Sequence, residues 1–390
     1  MKPFIVGVGR AGCRIANLFF TEGSSKVKYT GVLIDTEKSE LDFSKGYKIV
    51  IGERYLEGNG TGKDLELGRE IMEGEKVGIV EKMDRVRGEP DCFFVISSIG
   101  GGTGGAVSLL LEEMKRSYVE PIYYAGILPS EEDLKEVIEN CSMAFKDILK
   151  HSDAQFLIDN DLLKKGQRLR GRYNTINRKI YRYFNSLFEV GEVKSREDVG
   201  TNMVTTGDIL NTLAGVSTIG IGRHELEGGG IGGILGHKEE GIDKPELIVS
   251  LTEEAVEDLL VEFDIEDAQK ALVVVSGPKR YLDFLGSIPA RLWVEKKTGG
   301  EVRGGDMPSR DKKNLQVMLV FSGIKKSERV KQLYRLGKTA KDEGAAPHKI
   351  AGIFEKLRDL NSRISKVGKE VEDICDEIGG MLGGEPNGEE

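Results

Sequence analysis

Two glycine-rich turns, each directly after an apolar run, constrain this chain more than any other feature. The first, Gly7-Val8-Gly9-Arg10-Ala11-Gly12, follows Phe4-Ile5-Val6, and the second, Gly100-Gly101-Gly102-Thr103-Gly104-Gly105, follows Cys92-Phe93-Phe94-Val95-Ile96. Strands that are apolar without in–out alternation are buried on both faces, which calls for a mostly parallel sheet covered by helices. Glycine turns at the ends of such strands let backbone N–H groups approach a ligand, and the helix that follows adds its positive end. The pair of turns therefore predicts two loops closing on one phosphate chain.

The other signals extend this into an α/β plan. Strands are expected at Thr30–Ile34, ending in Asp35, and at Tyr47–Ile51, Pro121–Ile127 and Gln155–Ile158, with helices at Arg14–Phe20 and Ala106–Arg116. Tyr173 to Phe188 reads as a long helix, with Ile176, Ile180, Tyr183 and Leu187 at helical spacing, and shorter helices are expected to about Arg223. From Pro245 the pattern becomes a smaller α+β domain, with strands at Leu272–Val275, Arg291–Val294 and Gln316–Phe321 and helices at Glu253–Glu262 and Pro278–Leu285. The expected divisions are a Rossmann-like parallel-sheet domain over 1–172, a central core helix over 173–200, an α+β domain over 201–345, an amphipathic helix over 346–379 and a disordered tail over 380–390. Gly228 to Gly233 reads as a flexible surface loop. In the amphipathic stretch, residues 350–378 place Ile350, Ile353, Leu357, Leu360, Ile364, Val367, Val371, Ile374 and Ile378 at alternating steps of three and four. Such a seam suits either a helix packed on the second domain or a partner helix.

Composition removes several function classes. The formal net charge is -9 with 31% charged residues, which argues against general binding to nucleic acid or to anionic membranes. The basic stretch from Lys164 to Arg182 reads as a solvated face or polar interface. The four cysteines, Cys13, Cys92, Cys141 and Cys375, share no metal spacing and fit a reducing cytoplasm, and no metal site is assigned. No leader segment is recognised, and no apolar run approaches the roughly 20 residues of a membrane span, so membrane insertion is not expected.

Several nucleotide architectures compete. The first turn fits the dinucleotide fingerprint, with Asp35 near where an acid would hold a ribose hydroxyl, so an NAD(P)-dependent oxidoreductase is a rival reading. That fold does not require a second glycine loop, and His151, His224, His237 and His348 all lie in polar contexts. Gly58-Asn59-Gly60-Thr61-Gly62-Lys63-Asp64 approaches the Walker pattern, but Glu57 replaces its first glycine and Asp64 its magnesium-binding hydroxyl. It is either a third glycine-rich loop near phosphate or an ordinary turn.

Taken in order, the motifs resemble the tubulin/FtsZ superfamily over most of the chain. Gly100 to Gly105 is similar to the loop that binds the β- and γ-phosphates of GTP, Gly9 to Cys13 to the first phosphate loop, and Asp35-Thr36 to the second. Leu157 to Leu163 resembles the segment whose Asn reads guanine, and Tyr173 to Asn177 the start of the central helix, where an aromatic stacks on the base. Asp208 to Leu213 resembles the activation loop. The resemblance implies a cytoplasmic GTPase that assembles into a longitudinal homopolymer, with Mg²⁺ held mainly by phosphates and water. It implies nucleotide contacts from Gly9, Arg10, Ala11, Gly12, Cys13, Asp35, Gly101, Gly102, Thr103, Gly104, Gly105, Asp133, Asn160, Tyr173 and Asn177. The implied catalytic acid is Asp208, which completes the site of the next subunit. On the residues alone a helix N-cap is the favoured role of Asp208, and only the other motifs of the resemblance turn the reading to catalysis. The acidic turn Leu128 to Asp133 leans toward the archaeal CetZ branch. Arg10 stands where the family usually has Gly or Gln, and Thr205 where many relatives carry a second acid, which implies slow hydrolysis. A GTP-regulated scaffold that does not hydrolyse, built around 350–378, remains the third reading.

Overall fold

The computed structural model describes residues 1–164, 172–193, 200, 202–226, 244–309 and 313–342. The 350–378 seam, the 380–390 tail and the Gly228–Gly233 loop lie outside the described residues. Among the described residues ten strands form one sheet, in the order β3-β2-β1-β4-β5-β6-β7-β10-β8-β9. Strands β1 (Pro3–Val8), β2 (Thr30–Asp35), β3 (Tyr47–Val50), β4 (Cys92–Ser98), β5 (Ile122–Leu128) and β6 (Ala154–Asp159) run parallel. Every residue of β1 and β5 is buried, as continuous apolar strands require. Between these strands lie α1 (Gly9–Thr21), α2 (Lys38–Asp42), α3 (Glu53–Leu56), α4 (Leu65–Asp84), α5 (Gly102–Gly105), α6 (Val107–Ser117) and α7 (Lys135–Lys150). The order 3-2-1-4-5-6 reverses direction between β1 and β4. A crevice opens at the carboxyl ends of strands where the order reverses, and that is where such sheets take ligands.

Helices α8 (Asn160–Lys164) and α9 (Arg172–Glu189) follow. The 18 residues of α9 give it a length of about 27 Å at 1.5 Å per residue. The expected helical spacing holds: Ile176, Ile180, Tyr183, Phe184, Leu187 and Phe188 are buried. The Phe184 ring lies 4.5 Å from Phe94 and 5.0 Å from Phe156, which ties the helix to the sheet. Full burial of each such side chain stabilises by about 1.5–3 kcal/mol.

The second half continues the same sheet. It comprises α10 (Thr206–Thr212), β7 (Gly215–Glu225), α11 (Lys244–Glu257), β8 (Lys270–Gly277), α12 (Lys279–Leu285), α13 (Ile288–Thr298), β9 (Glu301–Pro308), β10 (Asn314–Ile324) and α14 (Glu328–Asp342). Strand β7 joins β6 in parallel through Ala154↔Gly215, and β10 then pairs antiparallel with both β7 and β8. The sequence reading placed short helices where β7 runs. Its glycines weaken the strand signal, yet they are required, because a Cβ on Gly220 or Gly222 would stand 2.0 Å from a carbonyl oxygen of α11. Arg291–Val294, expected as a strand, lies inside α13, since so short an apolar run does not by itself separate strand from buried helix. The nearby strand is β9, whose Gly304 and Gly305 concealed it. Among the described residues no helix is long and apolar enough to cross a membrane.

Candidate functional site

Because β1 lies between β2 and β4, with Val8 paired to Ile34 and to Ser97, the loops leaving these strands meet. Gly9 takes φ +69°, and a Cβ built on it would stand 3.0 Å from the backbone nitrogen of Gly104, so the two glycine turns touch. Helix α1 starts here, and its N-cap Val8 offers no side-chain hydrogen bond, leaving the first N–H groups for a ligand. Thr36 Oγ1 and Thr103 Oγ1 share a 2.8 Å hydrogen bond that joins the loop after β2 to the second glycine turn. From α7, Asn140 Nδ2 donates to Lys63 O at 2.9 Å and Gly100 O at 3.3 Å, fastening the Gly58–Asp64 loop beside it. Asp64 is the N-cap of α4, accepting from Leu67 N. The Walker reading fails on that role, and the loop itself lines the same cavity as the two glycine turns.

These loops enclose a cavity of about 670 Å³, within the usual range for small-molecule sites. Gly9, Arg10 and Ala11 line it from α1, Asp35, Thr36 and Glu37 from the end of β2, and Asn59 to Lys63 from the third loop. Ser98 and Gly101 to Gly104 line it from the second glycine turn, and Tyr173 and Asn177 from the first turns of α9. Of the residues singled out in the sequence, Gly9, Arg10, Ala11, Asp35, Gly101, Gly102, Thr103, Gly104, Tyr173 and Asn177 thus meet at one site.

Five do not. Cys13 is fully buried beneath the loop, its Sγ 3.4 Å from both Gly7 O and Ile34 O, and burial pushes its pKa well up, so it belongs to the core. Gly12 and Gly105 serve packing: a Cβ on Gly12 would stand 2.1 Å from Ile96 O, and one on Gly105 2.8 Å from Ile99 O. The Asp133 carboxylate accepts from Ser130 N within its own turn. Asn160 begins α8, which packs on α9, but it is not among the lining residues.

The cavity's charges are arranged in two layers. At the mouth, Arg10 is more than half exposed, pairs with Glu37 and lies 2.9 Å from Glu40, which also binds Arg14. The hydrogen bond to Glu37 raises the Arg10 pKa further and keeps it a fixed cation. Deeper, Asp35 is 3% exposed. Its Oδ1 accepts from Thr36 N and Glu37 N, whereas Oδ2 has no hydrogen-bond partner. Burial pushes its pKa up to about 6.

Asp208 lies elsewhere. It sits on α10, directly before β7, and β7 begins beside the first residue of β6. The cavity is at the carboxyl ends of the parallel strands, so Asp208 stands at the opposite edge of the sheet. Helix α9 connects the two edges: Tyr173 and Asn177 face the cavity, and Gly191, past its other end, lies against Val204 and Thr206. The α10 N-cap is Thr205, not Asp208. The two form a capping box, with Thr205 Oγ1 accepting from Asp208 N and Asp208 Oδ2 accepting from Thr205 N.

Three polar anchors escaped sequence reasoning: Asn140, Arg303, which pairs with Asp208, and Arg329 on α14. Arg329 is 8% exposed and binds Asp159, Asp161 and Glu131 around the turns after β5 and β6. Each works through partners remote in sequence, and no local pattern marks them.

Comparison with known proteins gives a consistent picture. Residues 3–167 match the model of the Tubulin/FtsZ family GTPase domain, and residues 166–339 that of the tubulin-like CetZ C-terminal domain. Tubulin-like protein CetZ1 of Haloferax volcanii is 33% identical over 374 residues, spanning 88% of this chain and 93% of that protein. Among solved structures, the GDP-bound monomer of Haloferax volcanii CetZ1 superposes with a TM-score of 0.73 at 30% identity, covering 87% of this chain and 100% of that one. The GTPγS-bound protofilament of CetZ2 from the same organism gives 0.74 at 27% identity, covering 88% and 99%.

Proposed function

The chain belongs to the tubulin/FtsZ family, in its CetZ group, and on that premise we propose that it binds GTP, polymerises head to tail and hydrolyses GTP at the subunit contact. One observation carries the reading: the cavity and Asp208 occupy opposite edges of one sheet. A contact between opposite edges is heterologous and repeats without closing, which generates a filament. In it, Asp208 of one subunit meets the nucleotide of the next.

The phosphates rest on the α1 N-terminus and the two glycine turns, with Arg10 adding a cation at the mouth. Tyr173 stacks on the base, and the amide of Asn177, which carries both donor and acceptor, reads the guanine edge, with Asn160 on its flank. Asp208 orients the attacking water. Among the described residues no cluster of three or more His, Cys, Asp or Glu is placed to hold a metal. A magnesium ion that neutralises the developing phosphate charge would take its ligands mainly from the nucleotide and water.

A second reading keeps binding and assembly but omits turnover. It is favoured by Thr205, which supplies no second acid, and by the hydrogen bonds already held by both Asp208 oxygens.

Calorimetric titration followed by sedimentation tests the proposal. GTP and GDP are expected to bind about 5- to 150-fold more tightly than ATP, because a mismatched base edge costs about 1–3 kcal/mol. GTP should drive the protein into the pellet. Equal affinity for ATP and GTP, or no assembly with GTP, contradicts it.

A further inference from the structure

Among the described residues β9 is the last strand of the sheet and pairs only with β8, which leaves its outer edge to the segment before α10. The segment leading into α10 is fastened along that edge. Asp306 N donates to Asn202 O at 2.6 Å, and Asn202 Nδ2 donates to Gly304 O at 3.4 Å. The third attachment is electrostatic: Arg303 Nη1 donates to Asp208 Oδ1 at 3.0 Å. Arg303 is itself held, because Nε and Nη2 contact Glu301 Oε1 at 2.9 and 2.8 Å. On the other side, Lys270 of β8 donates to Asn211 O of α10 at 2.6 Å.

The hydrogen bonds of the Asp208 carboxylate can be counted against its capacity. Each carboxylate oxygen offers about two lone-pair sites. Oδ2 uses both, accepting from Thr205 N at 2.9 Å and Thr205 Oγ1 at 2.7 Å. Among the described residues Oδ1 accepts only from Arg303, which leaves one of its sites open. The Asp208 side chain is 30% exposed, so that site is within reach of a water.

We propose that Arg303 is the positioning residue for Asp208, clamping the carboxylate so that the one free lone pair of Oδ1 is presented to the water attacking the neighbouring subunit's nucleotide. The inference rests on the reading of Asp208 as the acid that completes that site. The capping box alone fixes Oδ2 and leaves the carboxylate free to tilt about it. The guanidinium, held by Glu301, removes that freedom. The ionisation state follows the same geometry. Partial burial pushes the Asp208 pKa up, but the bonds from Thr205 and the Arg303 charge outweigh it and hold the group below the usual carboxylate range. Glu301 of β9 shares the Arg303 guanidinium, Lys270 of β8 holds Asn211 O further along α10, and the Asp306 carboxylate is bonded to Ser287 instead.

The test compares wild type, Arg303→Gln, Arg303→Lys and Asp208→Ala for GTP hydrolysis per pelleted subunit, pH dependence and nucleotide binding by the monomer. Arg303→Gln is expected to lower kcat about 10- to 100-fold, the usual effect of misplacing a reacting group by about 1 Å, with KM and monomer binding unchanged. Hydrolysis is lost as pH falls through the Asp208 pKa, so removing Arg303 should move the acid limb to higher pH. Arg303→Lys, which keeps the charge, should retain most of the rate and the wild-type limb. Wild-type turnover and an unmoved limb in Arg303→Gln, while Asp208→Ala is inactive, would overturn the inference. Faster hydrolysis in Arg303→Gln would also do so. So would loss of assembly in Arg303→Gln while Asp208→Ala assembles normally, because Arg303 would then be an interface residue. Wild-type hydrolysis by Asp208→Ala would instead remove the reading beneath it.

Discussion

Replacing Arg329 with methionine should destabilise the fold by about 3 kcal/mol. From α14 the guanidinium donates to Pro129 O at 2.9 Å, Glu131 at 3.1 Å and Asp161 at 2.7 Å. Its Nε lies 3.1 Å from Asp159 Oδ2, an ion pair without hydrogen-bond alignment. Asp161 in turn binds Ser130 Oγ and Glu131 N, so one cation secures the turns after both β5 and β6. Removing one partner of a buried ion pair typically costs about 3–5 kcal/mol, chiefly because the remaining charge is left unpaired in a poorly hydrated place. Here Asp159 is 11% exposed, but Asp161 is 30% and Glu131 53% exposed. Water can rehydrate the latter two, which places the expected loss at the lower end. Burial already raises the Asp159 pKa against the pull of Arg329, so Asp159 suffers most when the cation goes. Urea denaturation followed by far-UV circular dichroism measures the change. Adding Asp159→Asn to Arg329→Met should recover part of it by removing the stranded charge. A loss below about 1 kcal/mol, or no recovery in the double variant, would refute the assignment of a buried charge cluster.

Two other predictions concern the cavity. Asp35 carries a folded-state pKa of about 6 against an ordinary 3.8, so stability tied to its protonated form is present below about 3.8 and is lost as pH rises through about 6. That shift corresponds to at most about 3 kcal/mol. Asp35→Asn should therefore stabilise the nucleotide-free protein by up to that amount at pH 8 and hardly at all near pH 4, and equal effects at both pH values would count against it. In the second glycine turn, a Cβ on Gly102 would strike Thr61 Oγ1 at 2.3 Å and Asp64 O at 2.5 Å, whereas one on Gly101 meets nothing nearer than Ser98 O at 3.7 Å. Gly101→Val is thus expected to keep its melting temperature while losing more than about tenfold in GTP affinity. Unchanged affinity would show that this turn is not the phosphate cradle.

What the sequence disclosed follows from how local each signal is. Continuous apolar strands ending in glycine turns exist because a parallel sheet buries both faces and a phosphate loop needs bare backbone. That is why β1, β4 and their turns could be read directly. The amphipathic face of α9 was legible for the same reason. Strands β7 and β9 were not, because glycines that admit a neighbouring backbone dilute the strand pattern. Residues acting through distant partners left no trace: Arg329 meets Asp161 across 168 positions, Arg303 meets Asp208 across 95, and Asn140 meets Lys63 across 77. Cys13 was misplaced because proximity to a phosphate loop in sequence does not say on which side of the loop a side chain falls.

The central claim is a site completed only by a second subunit, and turnover per molecule as a function of protein concentration tests it most directly. With GTP saturating, hydrolysis per subunit is expected to be near zero at low concentration, to rise steeply where sedimentable polymer first forms and then to level off at a modest rate. Asp208→Ala should form polymer without that rise while binding GTP as wild type does. Turnover per molecule that stays constant across the concentration range, or that persists in Asp208→Ala, would contradict a shared site.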